Sequence, residues 1–287
     1  ASALLVSTLT GIVAIHSINL DDHTQVTAHR GASGEAPENT LASFRLAIED
    51  KADWVELDVQ ESKDGVVVVA HDSDLKKVSG ANVKIWNATA DELRSIDIGS
   101  YFDPKFKDQR VPTLAEVLQT CKGKVNVNIE LKYYGHDQNL EQRVIDLVEA
   151  AGMESDVVIM SLKADGIQKV KSLRPSWTVG LLTAVAAGDL ARAKADFLAV
   201  NVGLANRSFI RSAHHSGKDV IVWTVNDKVT MSTMIGRGVD GIITDHPALA
   251  RAVLAERAEM SPVERLLLEL ALFLGAAPKE PPDTERP

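Results

Sequence analysis

Cysteine is almost absent: Cys121 stands alone in 287 residues. No intrachain disulfide can form, and the redox compartment is left undetermined. Cys121 itself reads as a buried small hydrophobe. Basic stripes are missing too. The net charge of −9 therefore argues against nucleic acid as a partner, although local charge leaves a small anionic substrate open. No serine sits in a nucleophile elbow. No glycine-rich phosphate fingerprint follows the first strand, since Gly31-Ala-Ser-Gly34 lacks the spacing. The N-terminus has neither a starting Met nor a basic n-region, a poor match to a cleavable signal peptide.

What is present is ordinary globular material, 45% apolar and 25% charged, enough for a sizeable core. Residues 1–22 open with the apolar, uncharged run Ala1–Leu20, followed by Asp21 and Asp22. About 20 such residues can span a bilayer. The run reads as a membrane anchor or the end of a longer membrane region, with a docked soluble helix as the alternative. Acidic rather than basic residues after it favour the non-cytoplasmic side for the remainder.

From Val26 the chain alternates short β-branched runs with helical patterns. Strands are predicted at Val26–His29, Trp54–Val59, Val66–His71, Val125–Leu131, Val157–Met160, Thr178–Leu182, Phe197–Val200, Val220–Thr224 and Gly241–Thr244. Helices are predicted at Asn39–Asp50, Leu140–Ala151, Ala164–Leu173 and Lys228–Arg237. Asp64-Gly65 marks a hairpin between the second and third runs. Such alternation over residues 23–255 indicates an α/β fold, a (β/α)8 TIM barrel, with an open doubly wound sheet as the alternative. Residues 75–111 interrupt it after the second barrel strand as a small insertion with a short helix near Ala90–Ile96. Residues 256–287 hold an amphipathic helix begun by Ser261-Pro-Val-Glu264, then a Pro- and charge-rich tail. The apolar face of that helix suits packing on the barrel, a twin subunit in a homo-oligomer, or a membrane surface.

Active sites of such barrels lie at the C-terminal strand ends. The first strand brings His29 and Arg30 there, the second Glu56 and Asp58, and the hairpin arm His71. The next barrel strand brings Glu130 and Lys132, the seventh Trp223, and the loop after the eighth Asp245 and His246. Three carboxylates converging on one mouth repel each other unless a cation lies between them. All-oxygen ligation suits Mg2+ or Ca2+. Arg30 offers a fork for phosphate oxygens and Lys132 a point charge. Two histidines can divide the work of general base and acid. Each residue alone has a bland reading as a structural histidine, a solvated carboxylate or a surface ion pair. Their joint placement favours phosphoryl-transfer chemistry over acyl transfer.

The motifs His29-Arg30-Gly31, Pro37-Glu38-Asn39-Thr40, Glu56-Leu-Asp58-Val59, His71-Asp72, Asn128-Ile-Glu130-Leu-Lys132, Trp223-Thr-Val-Asn226 and Thr244-Asp245-His-Pro247 closely resemble the glycerophosphodiester phosphodiesterase family. The membrane-attached bacterial type is the nearer likeness. The resemblance covers roughly Val26 to Ala255. It implies hydrolysis of glycerophosphodiesters to glycerol 3-phosphate and an alcohol with one divalent cation. By position it makes Glu56, Asp58 and Glu130 the metal ligands and His29 and His71 the acid–base pair. Arg30 and Lys132 become phosphate contacts, and Trp223 a wall of the substrate pocket. Glu38 and Asn39 brace the first loop. Lys77 stands where the family has an Arg, which affects a minor contact. Two routes fit, attack by water activated at the cation or attack by the substrate's own 2-hydroxyl through a cyclic phosphate. Related barrels act on lysophospholipids, so a lysophospholipase D working at a membrane is the alternative activity. A non-catalytic, membrane-tethered module would have lost a histidine or carboxylate of this set, and none is lost.

Overall fold

The computed structural model describes residues 23–136, 138–184 and 190–273. The apolar segment 1–22 and the C-terminal tail lie outside them. Among the described residues no helix is long and apolar enough to cross a membrane.

The strands are β1 (Gln25–Ala28), β2 (Trp54–Glu61), β3 (Val67–Val69), β4 (Asn126–Leu131), β5 (Val157–Ser161), β6 (Val179–Thr183), β7 (Phe197–Asn201), β8 (Asp219–Trp223) and β9 (Gly241–Thr244). All except β3 run parallel, and β1 pairs with both β9 and β2, which closes an eight-stranded barrel. β3 pairs antiparallel with β2 as an arm outside the ring. Around the barrel lie helices α1 (Leu41–Glu49), α2 (Lys76–Ser79), α3 (Ala90–Arg94), α4 (Leu114–Cys121), α5 (Leu140–Ala151), α6 (Ala164–Leu173), α7 (Arg207–His215), α8 (Lys228–Arg237), α9 (Pro247–Glu259) and α10 (Pro262–Phe273). This is the (β/α)8 barrel expected from the alternation.

β-branched strand residues such as Val55, Val127, Ile159 and Val179 pack outward under the helices. Met160, Leu182, Phe197, Ala199 and Ile243 fill the barrel interior. Cys121 is fully buried and free. The insertion carries a core of its own, with Leu75, Ile85, Leu93 and Ile98 packed against Val68 and Ala70 of the arm. Full burial of each such side chain contributes about 1.5–3 kcal/mol. α10 starts where Ser261 and Glu264 cap each other. It touches α8 and leaves Val263, Leu267 and Leu270 exposed.

Most strand boundaries shift by a residue, β2 runs on to Glu61 where it pairs with β3, and two further differences have local reasons. The helix expected from Asn39 begins at Leu41, because Asn39 has φ +55° and Thr40 and Ser43 form a capping box. The strand expected through His71 ends at Val69. The Gln60 side chain takes over from the ladder there: its Nε2 donates to the carbonyls of Ala70 and Asp72 at 2.7 Å and of His71 at 3.3 Å. That grip turns the chain out of the sheet.

The loop after β1 is pressed onto α1. Gly31 has φ +82°, and a Cβ there would lie 2.4 Å from Ser43 Oγ and 2.6 Å from the Ser43 carbonyl carbon. Ser43 Oγ also donates to the Arg30 carbonyl at 2.9 Å. Gly31→Ala is expected to cost about 2–4 kcal/mol through overpacking and left-handed strain, read as a lower midpoint in urea unfolding.

Candidate active site

Strand alternation turns Glu56 and Asp58 of β2 to one face, and the β2–β4 register sets Asp58 beside Glu130. Glu56, Asp58 and Glu130 are all buried, and each offers a carboxylate oxygen within 4.8 Å of the others, a group that could hold a metal ion. Cations and amides hold the group together. Lys132 Nζ lies 2.9 Å from Glu130 Oε1 and 3.3 Å from Asp58 Oδ1. Arg30 Nε lies 3.4 Å from Asp58 Oδ2, the Arg30 backbone N–H donates to Glu56 Oε2 at 2.9 Å, and Asn39 Nδ2 donates to Asp58 Oδ2 at 2.9 Å.

Glu38 and Asn39 brace the first loop. Glu38 binds Arg30 Nη1 at 2.9 Å and also pairs with Lys77. The Asn39 N–H donates to the Arg30 carbonyl at 2.9 Å. Arg30 and Asn39 both hold positive φ, +54° and +55°, backbone strain that the surrounding bonds must offset.

His29 and His71 sit at the same mouth, each with a carboxylate on Nδ1. Asp245 Oδ1 lies 2.6 Å from His29 Nδ1, and Asp72 Oδ1 lies 2.7 Å from His71 Nδ1. Both rings are thereby oriented with Nε2 as the nitrogen left for proton transfer. Asp245 is itself fixed by Ser33 Oγ at 2.9 Å and Asn226 Nδ2 at 2.6 Å. The Tyr134 hydroxyl donates to the His71 carbonyl at 2.8 Å. Asp72, Asn226 and Asp245 had no assigned role in the sequence. Barrel closure was the available signal, because it places the end of β9 beside the end of β1. Trp223 ends β8 with its ring against the interior cluster and its indole N–H on the Ala199 carbonyl at 3.2 Å.

The electrostatics follow from burial and crowding. Burial, then repulsion from Asp58 and Glu130, pushes Glu56 well above the usual carboxylate range. Burial and Asp58 push Glu130 up likewise, and Lys132 only partly offsets this. For Asp58 burial also acts upward, but the charges of Lys132 and Arg30 outweigh it and hold the group low. His71 is lowered, by burial first and by Arg30 and Lys132 next, against the pull of Asp58. Burial acts upward on Asp245 as well, yet its bonds to His29, Asn226 and Ser33 bring it to about 2.

The donor set fits a hard divalent cation. It is all oxygen, its like charges are crowded, and Asp58 Oδ1 is buried without a hydrogen bond.

The model of the glycerophosphoryl diester phosphodiesterase family matches residues 29–249. A glycerophosphodiester phosphodiesterase of Caldanaerobacter subterraneus subsp. tengcongensis is 35% identical over 234 residues, covering 78% of this chain and 95% of the relative. The crystal structure of a glycerophosphodiester phosphodiesterase from Agrobacterium tumefaciens superposes with a TM-score of 0.71 at 30% identity, covering 80% of this chain and 99% of that one. An Oleispira antarctica phosphodiesterase, solved in complex with the product sn-glycerol-3-phosphate, gives a TM-score of 0.73 at 26% identity, covering 80% and 96%. The chain belongs to the glycerophosphoryl diester phosphodiesterase family. It is an enzyme of that class, a phosphoric diester hydrolase.

Glu130 sits at about 7 and Glu56 is raised, so the metal-free site carries protons near neutrality that a cation must displace. Apparent affinity for Mg2+ or Ca2+ is expected to rise with pH through the range in which Glu130 loses its proton. Calorimetry at about pH 6.5 in buffers of different ionisation enthalpy should show proton release on cation binding.

Proposed function

We propose that this enzyme hydrolyses glycerophosphodiesters to glycerol 3-phosphate and an alcohol, using a divalent cation at Glu56, Asp58 and Glu130. The convergence of those carboxylates with two carboxylate-oriented histidines at one barrel mouth carries the reading. A bound cation would supply charge neutralisation for the diester oxygens. Arg30, raised by Asp58, Glu38 and Glu56 despite burial, stays charged and presents its fork to phosphate, and Lys132 adds a point charge. His71, kept neutral by burial and its cationic neighbours, accepts the proton of the attacking hydroxyl. His29, oriented by Asp245, delivers a proton to the leaving alkoxide. Trp223 walls the pocket beside them.

A second reading, lysophospholipase D activity, has its own observation. Tyr134 lies three residues past β4 and Leu162 directly follows β5, and Tyr101 reaches the backbone of Glu38 in the loop after β1. All three are exposed, as is Phe102. An apolar rim of this kind suits an acyl chain. Residues 1–22 support membrane attachment by hydropathy alone, with the barrel on the non-cytoplasmic side.

The decisive assay follows glycerol 3-phosphate release from glycerophosphocholine and glycerophosphoethanolamine, and choline release from lysophosphatidylcholine, with Mg2+, with Ca2+ and after chelation. Cation-dependent glycerol 3-phosphate release is expected. His29→Ala and His71→Ala should each lower kcat/KM by about 10²–10⁴-fold, and Glu56→Ala should abolish the cation response. Asp245→Asn should lower kcat more than it raises KM. Choline release confined to the lysolipid would move the assignment to lysophospholipase D. Activity that survives both chelation and His71→Ala would refute the mechanism.

A further inference from the structure

On the interior face of the barrel, β2 and β4 present four polar side chains as a two-by-two grid. The register pairs Glu56 with Asn128 and Asp58 with Glu130, and residues two apart on a strand share a face. Three corners are the converging carboxylates. The fourth, Asn128, is 2% exposed. Its Nδ2 donates to Met160 Sδ at 3.4 Å, a weak acceptor, and its Oδ1 is buried with no hydrogen-bond partner. The other such atoms among the described residues are Asp58 Oδ1 and Arg30 Nε, and both border the same carboxylates. A buried polar atom left unpartnered costs about 1–3 kcal/mol. With Val158 and Met160 on the neighbouring strand, an apolar residue at 128 would pack without that cost.

We infer that Asn128 belongs to the cation centre, its side-chain oxygen being the fourth oxygen that faces the ion, directly or through one water. This rests on the cation reading of Glu56, Asp58 and Glu130. An amide oxygen is a hard, neutral donor of the kind Mg2+ and Ca2+ accept. Its neutrality also fits the charge balance. Three carboxylates and a singly charged diester are matched by a divalent ion with Arg30 and Lys132, and a fourth carboxylate would unbalance them.

The test is titration calorimetry of the full chain, freed of metal by chelation, with Mg2+ alone and with Ca2+ alone. Asn128→Leu should bind either ion about 10–100-fold more weakly, while its melting temperature in chelator matches or exceeds wild type, because the orphaned oxygen is gone. Asn128→Asp, which keeps an oxygen, should bind at least as tightly as wild type. If Asn128→Leu does not fold, Asn128→Ala carries the same comparison. Wild-type affinity in the folded apolar variant would overturn the role of Asn128 alone. A wild-type chain that binds neither ion would overturn it together with the cation reading.

Discussion

Three carboxylates share one buried corner at the barrel mouth, and the cost of crowding them shapes the residues around them. Unit charges no more than 4.8 Å apart repel by at least about 3 kcal/mol at an effective dielectric near 20. Arg30, Lys132 and Asn39 are spent on that repulsion. Arg30 serves it twice, with a guanidinium beside Asp58 and a backbone N–H on Glu56. Reaching both requires the left-handed turn at Arg30, which in turn requires the glycine that follows and the anchoring of Ser43. Strain in the first loop is thus a consequence of electrostatics one strand away.

The histidines are organised on a different principle. Each is tied at Nδ1 to an acid, but the two acids arrive by different routes. Asp72 is the next residue in the chain, whereas Asp245 comes from the far end of the barrel sequence, 216 residues away. The first pair forms with the loop itself. The second exists only where β9 pairs with β1, so the setting of His29 depends on closure of the barrel.

Much of this was legible in the sequence, and the exceptions have physical causes. β-branched runs at regular intervals gave the barrel, because parallel strands covered on both sides read as continuous apolar stretches. Two-residue alternation put Glu56 with Asp58 and Glu130 with Lys132 on shared faces, and the structure brings these four together, although Glu56 and Asp58 lie within β2 because pairing with β3 extends that strand to Glu61. The pairing of His29 with Asp245 left no mark in residue spacing, and only the predicted closure of the barrel pointed to it. The early end of the third strand was not legible, since it is imposed by the Gln60 side chain reaching across from β2. The insertion's separate core was hidden because its apolar residues follow neither helical nor strand period over enough length. Asn128 lies in the motif Asn128-Ile-Glu130-Leu-Lys132, but only its burial beside the Met160 thioether distinguishes it from a neutral strand residue.

The Gln60 grip divides the molecule mechanically. His71 follows a three-residue strand and precedes a forty-residue excursion, a position from which a side chain would ordinarily inherit the motion of what it carries. One amide on the rigid inner wall holds the carbonyls on either side of it as well as its own, so the fixed point lies at the histidine and not at the insertion. The insertion can therefore move or differ in length while the position of His71 stays anchored to the barrel.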